Sequence, residues 1–202
     1  MARLSMLPLE LQTEQTIGEG DRVNLDIAGI LAHRSEAAKA LQGCIDALRR
    51  SGTLPTRLLE LVRIRIAFHN QCRSCMAIRF SGGVDDGVSD DLVCSLEKPL
   101  EAPNLMDAER AALRYADLFA TNHLAIDDAV YDKLRKYFDE GEIVELGLHC
   151  ALCVGTGRLA ATWHVVDHLP ERFKADGMVT PWGGPQLIAY SRFKQPPSAG
   201  DR

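Results

Sequence analysis

The sequence predicts an all-α fold, and three observations carry that expectation. From Val23 to about His168, apolar residues recur at three- and four-residue spacing, as one face of a helix requires. No run alternates apolar and polar residues for long enough to make a useful strand. Capping residues mark the helix starts, and glycine or proline marks most of the stops.

The expected elements follow in order. Residues 1–22 form an N-terminal arm. Asn24 caps LDIAGILAHR, and Ser35 caps EAAKALQGCIDALRR, which stops at Gly52. Pro55 occupies the first turn of a helix, where proline is tolerated, and TRLLELVRIRIAF follows. Leu58, Leu61, Val62 and Ile66 share one face of it. Gly82-Gly83 ends the segment that carries Cys72 and Cys75. Ser89 starts DDLVCSLEK, closed by Pro99. Asp107 caps AERAALRYADLFAT, with Glu109 near the positive end of the helix dipole. Asp127-Asp128 opens AVYDKLRKYF, and Asp139 or Glu140 opens the long helix EIVELGLHCALCVGTGRLAATWHVV. Gly147, Gly155 and Gly157 lie inside that helix, where each costs about 1 kcal/mol against alanine. Close approach of a neighbouring helix, from this chain or another, is the simplest compensation. The helical domain is thus 23–169. Residues 170–202 are rich in Pro and Gly and read as an extended tail, crossing onto a partner subunit or disordered, with Trp182, Leu187, Ile188 and Tyr190 as anchors.

With 202 residues and 46% hydrophobic content, the chain suits one domain with a real core, or two small ones. The net charge of −5, without a Lys or Arg cluster, argues against a nucleic-acid partner. No apolar run nears the roughly 20 residues of a membrane span. Glu10 and Glu14 interrupt the N-terminus early, so no cleaved signal is expected. A cytoplasmic protein is the expectation. Its six cysteines are then mostly reduced, and a C-x-x-C reads as redox or metal chemistry before structural cross-link.

That motif is Cys72-Arg73-Ser74-Cys75, with Glu60 upstream on the preceding helix. In a helical segment the two cysteines lie one turn apart. First-turn N–H groups would lower a thiol pKa, and Arg79, one further turn along the same face, would push the same way. A peroxide attacked by one thiolate leaves a sulfenic acid, which the other cysteine condenses into a disulfide.

Two blocks carry a resemblance. The run LDIAGILAHRSEAAKALQGCIDALRRSGTLPTRLLELVRIRIAFHNQCRSCMAIR and the run from Leu105 to Trp163, with its D-A-E-R-A-x-L-R-Y-A-D stretch, resemble the carboxymuconolactone decarboxylase superfamily, which includes alkylhydroperoxidase D-like proteins. The resemblance implies an all-helical fold assembled as a homo-oligomer, a trimer or hexamer. It implies Cys75 as peroxidatic thiol, Cys72 as resolving thiol and Glu60 as buried proton acceptor. It implies a small-molecule hydroperoxide and a thiol or dithiol reductant as partners; no cofactor or metal is expected. The chain departs from the pattern twice. Ser74 stands where the peroxidases have a histidine between the cysteines, and Arg79 stands where they have one four residues on. Arginine stabilises a thiolate but does not pass a proton near neutral pH. The base is left unidentified; His69 is near in sequence but is not favoured.

Blander readings stand beside these. Glu60 could simply pair with Arg57, Arg63 or Arg79. Cys150 and Cys153 form a second C-x-x-C inside a helical pattern and read as core packing. A zinc site of all four cysteines is disfavoured by the long gap between the pairs. Cys44 and Cys94 read as core. His164 and His168, with Asp167, read as a helix C-terminus rather than a metal site. Two other functions stay open beside a thiol peroxidase: a lyase acting on a lactone from aromatic breakdown, and a non-catalytic redox sensor.

Overall fold

The computed structural model describes residues 1–9 and 18–189. Glu10, Glu14 and Tyr190, used above, lie outside the described residues. The chain is all-α, as expected, with helices α1 (Glu19–Leu31), α2 (Ser35–Ser51), α3 (Thr56–His69), α4 (Arg73–Ala77), α5 (Ser81–Asp85), α6 (Asp90–Cys94), α7 (Asp107–Thr121), α8 (Asp128–Leu134) and α9 (Glu140–Trp163). Two three-residue strands, β1 (Ile78–Phe80) and β2 (Leu187–Ala189), pair in parallel.

Helix α3 is the centre, packed on both α7 and α9. Its predicted face is buried: Leu58, Leu61, Val62 and Ile66 are each at most 3% exposed. Ile64 and Ala67 are buried as well, so the helix is covered on several sides rather than along one stripe. Its polar residues then need partners. Arg57 donates to Glu109 at 2.6 Å, and Arg65 donates to Asp117 at 2.6 Å, both on α7. Ser89, Asp127 and Asp139 cap their helices as expected, each side chain accepting an N–H of the first turn.

Other expectations are corrected. α1 starts at Glu19, with Gly18 at its cap, rather than at Asn24. Val23 is fully buried against Ile78, Leu187 and Ala189, and that packing draws the helix back over the arm. Asp107 lies in the first turn of α7, and Met106 is the cap, its N–H donating to Glu109 at 2.9 Å. Gly82-Gly83 does not end a helix but lies inside α5, where a Cβ on Gly83 would stand 2.6 Å from the Glu60 side chain. Cys44 and Cys94 are exposed, not core. α2 buries none of its residues, and Cys94 falls on the outer side of α6.

α9 is long and apolar enough to cross a membrane by length and composition alone, contrary to the expectation that no run is. Here it packs on α3 and α7, burying Ile143, Leu146, Cys150, Gly157 and Ala160. Two of its glycines have a reason within the chain. A Cβ at Gly157 would meet Asn70 Nδ2 at 2.5 Å, and one at Gly147 would meet the Tyr115 hydroxyl at 3.3 Å. Gly155 faces open space.

To Ala189 the tail packs on its own chain. It folds back so that Phe173, Val179, Leu187 and Ala189 join Met76, Ala77 and Ile78 in a second core cluster. Leu187 and Trp182 pack, as expected of anchors, but Ile188 points outward at 43% exposure, because a strand alternates its faces.

Candidate functional site

A kink places the two cysteines. α3 ends at Asn70, and Gln71 adopts a left-handed backbone, φ 50°. The chain therefore restarts as the short helix α4, with Cys72 as its cap. Cys72 and Cys75 are joined as a disulfide. Cys72 is fully buried, and its sulfur receives the Cys75 N–H at 3.4 Å and lies 3.5 Å from the Ser74 hydroxyl. Cys75 is only partly buried and lines a cavity of about 720 Å³.

α1, α2, α3, the α4–α5 segment and α9 build that cavity. Much of the wall is apolar, with Ile27, Ile45, Leu48, Leu59 and Leu152, while Glu60, Arg63, Glu145 and His149 supply polar groups. Glu60 is buried and pairs with Arg63 in two-pronged fashion: Arg63 Nε donates at 2.6 Å and Nη2 at 2.7 Å. The Phe80 N–H donates to the same carboxylate at 3.0 Å. Arg63 also donates to the carbonyls of Cys75 and Ile78, both at 2.8 Å. One ion pair on α3 thus fixes the backbone around Cys75. Of the partners foreseen for Glu60, it is Arg63 that takes the place.

Arg79 is not where the helical reading put it. The segment turns into β1 after α4, so Arg79 does not continue the cysteine face. Its guanidinium is 1% exposed and donates to the carbonyls of Met76 at 2.8 Å, Ile78 at 3.0 Å and Pro181 at 2.5 Å. Burial, with the Arg63 charge nearby, brings its pKa down to about 10. Its bonds hold backbone. His69 is likewise committed elsewhere, with Nε2 2.6 Å from Asp117.

The sequence reading missed His149. It stands on α9, with Nε2 2.9 Å from the Leu59 carbonyl and 3.6 Å from the Cys153 sulfur. A carbonyl only accepts, so Nε2 carries the proton and Nδ1 offers a lone pair. Burial lowers the His149 pKa to about 4 and keeps the ring neutral. No motif flags this residue: only the spacing His149-x-x-x-Cys153, one helical turn, hinted that the two share a face. Cys150 is core, as expected, whereas Cys153 also lines the cavity. Burial pushes the Cys153 thiol up to about 12, so it is uncharged near neutral pH. His164 ends α9 in a left-handed conformation, φ 54°, and His168 lies 3.7 Å from Asp26. Among the described residues, no three His, Cys, Asp or Glu side chains converge as a metal site.

The helices that carry the disulfide and the buried Glu60–Arg63 pair have an alkylhydroperoxidase D-like fold. Two solved structures share the fold. A protein of unknown function from Agrobacterium tumefaciens, associated with the antioxidant defence protein AhpD, aligns with TM-score 0.58 and 23% identity over 66% of this chain and 91% of that one. An uncharacterized peroxidase-related protein from Ralstonia eutropha with an alkylhydroperoxidase AhpD core aligns with TM-score 0.59 and 20% identity over 73% of this chain and 77% of that one. Residues 35–118 match the Carboxymuconolactone decarboxylase family. That match and the two fold neighbours together support a likeness to the carboxymuconolactone decarboxylase superfamily.

Two curated relatives are also similar. An uncharacterized protein of Mycobacterium tuberculosis is 36% identical over 113 residues, 54% of this chain and 39% of the relative. The uncharacterized protein YnjA of Escherichia coli is 26% identical over 124 residues, 61% of this chain and 66% of the relative. This chain therefore spans less than two thirds of the length of either.

Proposed function

We propose that this protein is a thiol-dependent, peroxidase-like oxidoreductase that reduces hydroperoxides through Cys75 and Cys72. The observation that carries the reading is the sidedness of the pair: Cys75 lines the cavity, while Cys72 is buried behind it and within bonding reach. The peroxidase-related description of a fold neighbour supports it.

In this reading the Cys75 thiolate attacks the terminal oxygen of a hydroperoxide held in the cavity. An S–O bond forms, the O–O bond breaks, and the leaving alkoxide takes a proton to become the alcohol. Cys72 then attacks the sulfenic sulfur and releases water, giving the disulfide. A thiol reductant returns both cysteines. Glu60 acts through Arg63, which holds the Cys75 carbonyl, and His149 Nδ1 is an acceptor for a substrate O–H. The apolar wall receives the organic part of the substrate. We place this cycle in the cytoplasm, in a homo-oligomer: Val144, Leu148 and Leu159 are exposed on the same helix as Gly155, where a second copy could approach closely.

Purified protein with a dithiol should consume cumene hydroperoxide. Cys75→Ser should abolish this, and Cys72→Ser should leave a trapped sulfenic acid on Cys75. If the wild type consumes no more than the double serine variant, the reading is wrong.

A further inference from the structure

We propose that the buried Cys72 exchanges its proton with solvent through Ser74 and His164, by way of a second, small cavity at the C-terminal end of α9. Ser74 touches the reacting sulfur, and His164 acts through it. The proposal rests on the reading that the pair cycles between dithiol and disulfide.

Cys72 needs such a route. To resolve a sulfenic acid it must attack as a thiolate, and so must first lose its proton. It is fully buried, and among the described residues Ser74 and Cys75 are the members of the motif that line the large cavity. The Ser74 Oγ lies 3.5 Å from the Cys72 sulfur and is itself buried. A hydroxyl both accepts and donates, so it takes a proton on one side and gives one up on the other.

Beyond Ser74 is a cavity of about 30 Å³ that His164 also lines. That exceeds the roughly 10–15 Å³ that one water requires. Two further polar side chains border it, and both are occupied with backbone. Gln71 donates to the Phe68 carbonyl at 2.7 Å, and Arg73 donates to the carbonyls of Phe173 and Gly177, each at 2.8 Å. The Ser74 hydroxyl and the His164 ring supply the remaining polar side-chain groups, and the other lining residues are apolar. A water there has two side-chain partners, one toward Cys72 and one toward the surface.

His164 sits in this place at a cost. It ends α9 with φ 54°, in the left-handed region that glycine or asparagine fills more readily. Strain kept at a side chain that can carry a proton points to use of that side chain. The ring is half-buried, so part of it meets solvent. Burial, and then the charges of Arg3, the N-terminal ammonium and Arg73, lower its pKa below the usual 6.5, while Asp167 opposes them. The ring is therefore uncharged near neutral pH, takes a proton from the water and releases it outward. On the large-cavity side the histidine is His149, which burial holds at about 4, so it offers a departing proton no resting place near neutral pH.

The step balances. The Cys72 proton passes to Ser74 Oγ as the Ser74 proton passes to water, and from water a proton passes to His164. The Cys72 thiolate bonds to the Cys75 sulfur, the Cys75 S–O bond breaks, and the departing hydroxide takes a proton from solvent to become water. On reduction the path runs backwards and returns a proton to Cys72.

The test uses the reduced full chain, with the exposed thiols removed as Cys44→Ser and Cys94→Ser, and a dipyridyl disulfide in place of a hydroperoxide. Cys75 attacks the probe and releases one thiopyridone. Cys72 then attacks the mixed disulfide on Cys75 and releases a second, in a phase that is independent of probe concentration and lost in Cys72→Ser. His164→Gly, which the left-handed backbone accepts, should slow the second release about tenfold or more near neutral pH and leave the first unchanged. Added imidazole should restore it, which it does not do for a merely structural loss. Ser74→Ala should slow the same phase without rescue. Should the glycine variant fold poorly, His164→Asn suits the same backbone and should show the same loss. A second release that keeps its rate in the His164 variants, that slows without imidazole rescue, or that slows in His149→Gln instead, would overturn the proposal alone. A wild type without the Cys72-dependent release would overturn the cycling reading along with it.

Discussion

Cysteine chemistry in this chain is decided by what each sulfur faces. Cys44 and Cys94 are exposed, Cys150 is buried in the core, and Cys153 faces the cavity with its thiol pushed up to about 12 by burial. Because the thiolate is the reactive form, that environment sets the order of labelling. In the native oxidised protein, iodoacetamide near neutral pH should modify Cys44 and Cys94 first, Cys153 slowly and Cys150 last, as read by peptide mass mapping over time. Early labelling of Cys153 would show that its thiol is not held protonated. Glu60 illustrates the same dependence on surroundings. A carboxylate twelve residues before a C-x-x-C reads equally well as a base or as an ion-pair partner, and the two-pronged Arg63 contact places it in the pair.

Helix α9 shows how an element carries information for more than one contact. Gly157 is required inside the chain, because Asn70 reaches across to donate to the Cys153 carbonyl at 3.0 Å, and a Cβ would stand 2.5 Å from that amide. Gly155 has nothing within 4 Å. The two glycines therefore separate in a melting experiment. Gly157→Ala should lower stability by about 1–3 kcal/mol, as overpacking does. Gly155→Ala should raise monomer stability by up to about 1 kcal/mol, the helix-propensity difference. A Gly155→Ala variant that is instead less stable, and shifts to smaller species on size exclusion, would show that a neighbouring copy uses the gap.

The whole molecule responds to acid in two stages, and the sign can be worked out for each. His149 faces Arg63 and Glu60 from α3, Arg49 from α2 and Cys153 on its own helix. Burial lowers its folded pKa to about 4 from an ordinary 6.5. Between those values the unfolded chain binds a proton that the folded chain refuses, so stability falls as the pH drops through that window. Asp117 acts lower. Burial alone would raise its pKa, but hydrogen bonds from His69 and Arg65 outweigh burial and hold it below the ordinary 3.8. Its contribution is present above that value and is lost as the pH falls further. Urea midpoints at pH 7, 5 and 4 should therefore decline for the wild type and decline less for His149→Gln, whose amide can still donate to the Leu59 carbonyl. An unchanged slope in that variant would remove His149 as the source.

The sequence by itself determined the helical class, the capped starts at Ser89, Asp127 and Asp139, the buried face of α3, and the C-x-x-C with Glu60 upstream. All of these are written in residues three to twelve apart, which a chain must obey locally whatever it packs against. Only the tertiary structure decided that Cys75 meets the cavity while Cys72 does not, that His149 joins the site, that Arg79 holds backbone, and that the tail returns over the motif. Those contacts join residues far apart in the chain: His149 to Leu59 across 90 positions, and Arg79 to Pro181 across 102. Spacing that long leaves no periodicity to read, because burial of α3 from several sides, and not any local signal, brings α9 and the C-terminal extension to the same few residues.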